Sequence, residues 1–516
     1  MTQSADNRVV DHPAQGANRQ GGMGAGATVS VLPVPGASAV ESRRPLRIRH
    51  GHVQLLGREI PTSLMTLAVL EVLVFVTAFI VAAHIVFPGG AASAPAFFEA
   101  FSIKVIAFAA LNMVALLSMG LYRRGMRVSL VQVVVRLVGA FALGGVMLAV
   151  LFYVFPHLFL GRGVMLVAVS LAFAGILTTR LVGVRLLHLD TFKRRVLVLG
   201  SGSTASLFSR LRRRSDRIGF ELTGFVPQTN EAPQVDPERI VEPAGSLSQY
   251  ACDQHIDDVV IALDDPRGGF PVDELMACKM AGVHVLDVSD FFEREGGFLK
   301  LDILRPSTMI FSRGFRQSIY SDYLKRIMDL LTGAGMLAVV WPLMLLTALG
   351  ILIESRGRGS ILFRQTRVGQ NGRPFTLYKF RSMIEDAEAD GVARWAEKED
   401  PRVTRFGNFM RITRLDELPQ LFNVLRGDMS FVGPRPERPE FVEQLASRLP
   451  YYHHRHWVKP GLTGWAQINY PYGASEKDAF EKLQYDLYYV KNQSISLDLV
   501  TIIQTVEVVL WGRGSR

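Results

Sequence analysis

Cysteine is nearly missing from this chain of 516 residues: Cys252 and Cys278 are the only two. They stand far apart and form no Cys-x-x-Cys, so neither a disulfide framework nor a zinc-finger spacing is expected, and a reducing compartment is favoured. None of the 13 tyrosines has a lysine four residues later, so the Tyr-x-x-x-Lys pair of short-chain dehydrogenases, dehydratases and epimerases is lacking. No two aspartates stand two apart, which removes the Asp-x-Asp metal motif of ordinary glycosyltransferases. Residues 1–60 hold no long apolar run; rich in Gly, Ala, Pro and Ser, they cannot bury a core and read as a disordered tail without a removable signal peptide. Acid is in short supply as well. Against 57 Lys and Arg stand 47 Asp and Glu, a net charge of +10 that suits nucleic acid, anionic lipid or a phosphorylated substrate.

What the chain has is apolar sequence interleaved with charge. Mean hydropathy is +0.21 although 20% of the residues are charged, the mark of water-soluble parts joined to membrane parts. Apolar stretches near 62–87, 97–121, 129–155 and 160–179 each supply about the ~20 residues that cross a ~30 Å hydrocarbon layer. They predict a four-span transmembrane bundle over 61–180. Arg43, Arg44, Arg47, Arg49 and Arg58 precede the first span, Arg123, Arg124 and Arg127 follow the second, and Arg180, Arg185, Lys193, Arg194 and Arg195 follow the fourth. The other two loops carry only Arg162, so both ends of the bundle are expected in the cytoplasm. Glu71, Lys104 and Arg136 lie in or near spans, where pairing between helices or snorkelling explains them better than a transport path. A fifth apolar stretch, 327–355, is basic on both flanks and carries Pro342 near its middle. A helix break at Pro342 predicts a re-entrant hairpin that enters the inner leaflet and returns to the same side.

Residues 190–290 alternate strand and helix. "RVLVLGS" (195–201), "ELTGFV" (221–226), "DDVVIAL" (257–263) and "GVHVLDV" (282–288) are short β-branched runs of a parallel, doubly wound sheet. "GSGSTA" (200–205) resembles the opening of a dinucleotide fingerprint, but the second strand ends in "FVPQTN" without the acid that holds a ribose hydroxyl. The unit reads as a Rossmann-like regulatory module, with a nucleotide ligand left open. A linker, 291–319, leads to a mainly α catalytic domain over 320–516. Here arginines stand beside glycines and prolines on irregular backbone, which suits phosphate oxygens gripped bidentately. DNA does not fit: aromatic and apolar residues are plentiful, the bilayer is near, and no helix-turn-helix or zinc-finger pattern occurs.

"TRLDELPQLF" (413–422) sets Asp416 beside Glu417. "DELPQLFNVLRG" is a helix signal: Asp416 as cap, Glu417 and Pro419 in the first turn, Leu418, Leu421, Phe422 and Leu425 as a stripe, Gly427 as stop. A helix N-terminus also attracts anions, so a phosphate has a place beside the acids. "YYHHRHWVK" (451–459) reads as an aromatic–basic belt at lipid headgroups, not a metal site. The final apolar segment is expected on the membrane or under the catalytic domain.

"KRIMD", "LFRQTRVGQNGRPFTLYKFRSM", "RLDELPQLFNVLRGDMSFVGPRP" and "KPGLTGWAQIN" resemble the bacterial polyprenyl-phosphate sugar-1-phosphate transferases. The likeness covers about 320–516, and the four spans and α/β module before it look like the large-topology, exopolysaccharide branch. "INYPYGAS" departs from the "NGR" common after "WAQ" in relatives. The resemblance implies a monotopic catalytic domain at the bacterial inner membrane that moves sugar-1-phosphate from a UDP-sugar to polyprenyl phosphate and releases UMP. Asp416 would be the nucleophile of a covalent intermediate, Glu417 would handle metal or protons, and Mg²⁺ is the expected ion, held by Asp416 and Glu417. Lys379, Arg381, Arg411, Arg414 and Arg435 are the candidate phosphate-binding residues. Membrane lipid, a possible homodimer and downstream glycosyltransferases are the further partners, with no nucleic acid. Alternatives are a membrane-tethered nucleotide-sugar dehydratase or epimerase, and a non-enzymatic scaffold or sensor.

Overall fold

The four apolar stretches become the helices Thr62–Val86, Phe101–Ser118, Leu130–Val154 and Arg162–Leu187. A computed structural model describes residues 52–55, 58–92, 94–122, 130–187, 194–210, 220–228, 231–265, 270–312, 314–315, 319–384, 400–470, 473 and 475–510. Most of the N-terminal tail, with Arg43, Arg44, Arg47 and Arg49, and the loop arginines Arg123, Arg124 and Arg127 lie outside the described residues. The tail reading to residue 60 needs correcting at its end, because His52–Leu55 pairs with Arg58–Pro61 as an antiparallel hairpin. Phe75, Phe79, Phe108, Leu137, Leu148 and Ile176 form the core between the helices, while Val69, Ile106, Val146 and Leu166 face outward. Apolar side chains on both faces suit helices surrounded by apolar solvent. Glu71 is buried and paired with Arg180 at 2.9 Å, and Tyr122 donates to the same carboxylate. Arg136 donates to the Met119 carbonyl and Lys104 to that of Phe97. These groups are thus paired within the bundle.

The β-branched runs pair as one parallel sheet, in the spatial order Phe220–Val226, Arg194–Leu199, Asp258–Ile261, His284–Asp287. Helices Ser203–Arg210 and Val288–Gly296 cover one face, and Leu247–Asp253 and Val272–Met280 the other. The glycine loop before Ser203–Arg210 is already engaged. Ser201 and Gly202 N–H groups donate to Glu231 Oε2, at 2.8 and 3.2 Å. Ser203 and Thr204 N–H groups donate to the Asp264 carboxylate, both at 2.8 Å.

The expected linker is packed rather than free. Glu293 accepts from Lys491 and Asn492, Trp465 donates to the Gly297 carbonyl, and Leu299 and Leu301 are buried against the C-terminal part.

The expected hairpin at 327–355 is a single helix, Ile319–Glu354, which runs through Pro342 without a turn. A mid-helix proline removes one hydrogen bond and crowds the preceding turn, but a long helix can pass it with a bend. Both ends are fastened to the same C-terminal unit. Near the start, Lys325 donates to Asp498 at 2.6 Å, Arg326 to the Val424 and Leu425 carbonyls, and Asp329 accepts from Ser430. Near the end, Ile351 is buried with Met410 and Leu418, and Glu354 accepts from the Phe406 N–H. Between them Val339, Trp341, Leu345 and Leu346 are exposed. Five described helices, this one included, are long and apolar enough to cross a membrane.

Candidate active site

A cleft of about 1200 Å³ in the C-terminal unit gathers the acids and bases singled out in the sequence. One wall is the antiparallel hairpin Leu362–Val368 and Pro374–Phe380, which carries Lys379 and leads to Arg381. Helix Arg405–Thr413 supplies Arg411. Its Gly407 has to lack a side chain, because a Cβ there would lie 2.0 Å from the Ser382 carbonyl. Arg414 then takes a left-handed backbone, φ 60°, and turns the chain into the short 3₁₀ segment Leu415–Glu417.

That turn corrects the cap reading. The following helix, Gln420–Arg426, begins after Pro419 and has no side-chain cap; Asp416 caps nothing. Its buried face is Leu421, Asn423 and Val424, whereas Phe422 is 45% exposed. Gly427 does close it, at φ 97°. Asn423 is fully buried: its side-chain oxygen accepts from the Tyr378 N–H, and its amide donates to the Thr376 carbonyl. The helix after the acids is thereby tied to the strand that carries Lys379.

Asp416 and Glu417 are both nearly buried, yet their surroundings differ. Glu417 Oε1 meets Arg435 at 2.8 Å, Lys379 at 3.5 Å and Arg414 at 3.7 Å. Burial pushes its carboxyl up, but these three cations outweigh burial and hold it well below the usual carboxylate range. Asp416 Oδ1 is buried without a hydrogen-bond partner. Burial raises its pKa above the ordinary value; Lys379, Arg414 and Arg411 oppose the rise and Glu417 adds to it. Burial likewise lowers Lys379, against the pull of Glu417. Two adjacent carboxylates pushed apart in this way are suited to different tasks.

All five expected phosphate binders line the cleft, but only three converge on Glu417. Arg411 donates to Ser382 and Arg381 to the Arg358 carbonyl. Arg435 comes from the loop after strand Ser430–Val432, which pairs in parallel with Gly461–Thr463. Gly433 and Gly461 lie so close that a Cβ on Gly461 would sit 2.0 Å from the Gly433 nitrogen.

Sequence reading missed Arg455, Asp486, Arg438, Lys482 and Gln467, which also line the cleft. Arg455 lies in the segment taken for a headgroup belt. In the 3₁₀ segment Tyr452–Trp457, however, Tyr452, Arg455 and His456 are buried, which corrects that expectation; Trp457 is 42% exposed. Burial, together with Arg455 and His453, drops His456 to about 3, so its ring is neutral. The final helix Ile495–Leu510 packs under the unit, with Asp498 and Thr501 buried. Met336 of the long helix and Val508 of the final one give the cleft an apolar side.

Among the described residues no three His, Cys, Asp or Glu side chains cluster as a metal cage. A magnesium ion needs less, because it usually takes one or two carboxylates and completes its shell with water and substrate phosphate. The unpaired Asp416 oxygen beside Glu417 fits that donor set.

Comparison with known proteins places this site in a family. Residues 320–512 match the family described as bacterial sugar transferase. The chain is 41% identical over 261 residues to the UDP-N-acetylgalactosamine-undecaprenyl-phosphate N-acetylgalactosaminephosphotransferase of Aeromonas hydrophila, covering 50% of this chain and 60% of that one. It is 35% identical over 348 residues to the undecaprenyl-phosphate glucose phosphotransferase of Komagataeibacter xylinus, covering 65% of this chain and 63% of the relative. The chain therefore spans somewhat under two thirds of either relative. Against the UDP-glucose:undecaprenyl-phosphate glucose-1-phosphate transferase of Caulobacter vibrioides it is 40% identical over 212 residues, 40% of this chain and 78% of that protein. With the matched segment holding Asp416, Glu417 and the cations around them, the chain belongs to the bacterial sugar transferase family.

Proposed function

We propose that this protein transfers a sugar-1-phosphate from a UDP-sugar to polyprenyl phosphate, releasing UMP and leaving polyprenyl-diphosphate-sugar in the membrane. The observation that carries the reading is the contrast between the acids: a hydrogen-bond-free Asp416 oxygen, next to a Glu417 that draws three cations into the cleft. An Asp416 oxygen attacks the phosphorus that bears the sugar. The bond from that phosphorus to the bridging oxygen breaks, and its electron pair leaves on UMP. A phosphate oxygen of the polyprenyl acceptor then attacks the same phosphorus, and Asp416 leaves as the free carboxylate. Repulsion is the obstacle, since two unit charges 4 Å apart cost about 4 kcal/mol at an effective dielectric of ~20. Lys379, Arg414 and Arg435 offset that charge, and Glu417 keeps them on the cleft side. Magnesium, held by Asp416, Glu417 and the substrate phosphates, would supply further charge neutralisation.

The cleft's apolar side at Met336 and Val508 suits a lipid-borne acceptor. A helix held near both ends by the same unit, with its exposed apolar middle free for lipid, supports a same-side seat against the inner leaflet. With the four-span bundle, this favours the inner membrane with the catalytic unit in the cytoplasm. The α/β unit is best read as a Rossmann-like regulatory module whose loop donors are already used. Relatives are named for N-acetylgalactosamine or glucose, so a UDP-hexose or its N-acetyl form is the donor class. Asp416→Asn should lower transfer of radiolabelled sugar phosphate to polyprenyl phosphate by about 10³-fold or more, as expected for loss of a nucleophile. Full activity in that variant would refute the assignment.

A further inference from the structure

The loop that delivers Arg435 has its carbonyls claimed by other elements in succession. The Gly461 N–H donates to Pro434 O at 2.9 Å, Arg455 Nη2 to Arg435 O at 2.9 Å, and Arg367 Nη1 to Pro436 O at 3.1 Å. Of the two side-chain donors Arg455 is the more enclosed. Its side chain is 6% exposed, and its Nε and Nη2 both reach Asp486 Oδ2, at 3.0 and 2.8 Å. Nη1 donates to the Tyr452 hydroxyl at 3.1 Å. Asp486 is itself 4% exposed and sits on helix Glu476–Lys491, so the guanidinium is fixed from below.

We propose that Arg455 is a positioning residue: fixed by Asp486 and Tyr452, it holds the Arg435 carbonyl and so aims the Arg435 guanidinium at Glu417 and the substrate's phosphates. The planar fork presents its N–H donors in fixed directions to the carboxylate, the hydroxyl and the carbonyl together, a geometry that a compact ammonium on a flexible stem does not reproduce. Arg455 needs no contact with substrate for this. The inference rests on the sugar-phosphate transfer proposed above.

A double-mutant cycle tests it, with thermal melting recorded for each variant. Arg455→Lys keeps the charge opposite Asp486 and loses the reach to Arg435. Its KM for the UDP-sugar should rise about ten-fold while kcat stays within about three-fold. In an Arg435→Ala background the same change should cost less than about two-fold in kcat/KM, because the group it aims is gone. Equal losses in both backgrounds, or a lower melting temperature with KM unchanged, would overturn the proposal. Should Arg455→Lys fail to fold, Asp486→Asn replaces it in the same cycle, with the same outcomes. A wild type that turns over no UDP-sugar overturns the transfer reading and this one together; turnover with additive losses overturns this one alone.

Discussion

Asp416 and Glu417 are neighbours in sequence and differ in what surrounds them. In the proposed role of nucleophile Asp416 has to be ionised, and burial works against that while Lys379 works for it. Removing the lysine's charge should therefore move the acid limb of kcat/KM to higher pH, since the carboxyl loses the first of the charges that favour its ionised form. Lys379→Met should show this shift together with a loss of about 10²-fold at neutral pH, as for other removed charge-stabilising groups. A pH profile with an unmoved limb would count against Lys379 acting on Asp416. The family resemblance, more than residue type, singled out the acids; Arg and Lys beside Gly and Pro pointed to phosphate by themselves. Arg455 was not legible. "YYHHRHWVK" looks the same whether its arginine faces lipid heads or Asp486, and Asp486 lies 31 residues further on.

Between residues and the molecule stand the short elements that set the distances. Asn423 joins helix Gln420–Arg426 to the strand of Lys379, with its amide bonded to two backbone groups. Asn423→Ala removes two part-buried hydrogen bonds to backbone groups, at about 0.5–1.5 kcal/mol for each. We expect a clear fall in melting temperature and a lower kcat/KM, because the strand is no longer held at the helix. Stability unchanged by this substitution would show the tie to be dispensable. The strands of the α/β unit were legible from β-branched runs between glycines, since burial on both faces demands such runs. The helix start after Asp416 was not. A Thr-Arg-Leu-Asp-Glu-Leu-Pro string satisfies cap rules, but the left-handed Arg414 and Pro419 divide it into a 3₁₀ turn and a later helix. The break at Pro342 did not form, because one proline removes a single hydrogen bond from a 36-residue helix that is tied down on either side of it.

At the scale of the whole molecule the testable quantity is sidedness. Ile384, beside the cleft and 53% exposed, accepts a probe: Ile384→Cys in a chain lacking Cys252 and Cys278 should resist an impermeant external thiol reagent in intact cells and react after lysis. Labelling from outside would refute the same-side seat of the long helix. The span pattern was legible because twenty apolar residues have few other uses. How the helix Ile319–Glu354 is anchored was not, because its partners are remote in sequence. That remoteness bears on assembly during synthesis. Lys325 precedes its carboxylate partner Asp498 by 173 residues. While the chain is being made, the helix enters its final surroundings with a lysine that has no counter-ion until Asp498, on the last described helix, emerges. Anchoring of the long helix and closing of the C-terminal unit thus finish late, since contacts this distant in sequence are slow to form. A chain stopped before residue 498 would be left with an unmatched charge at the root of its membrane helix, a state that quality-control proteases are placed to remove.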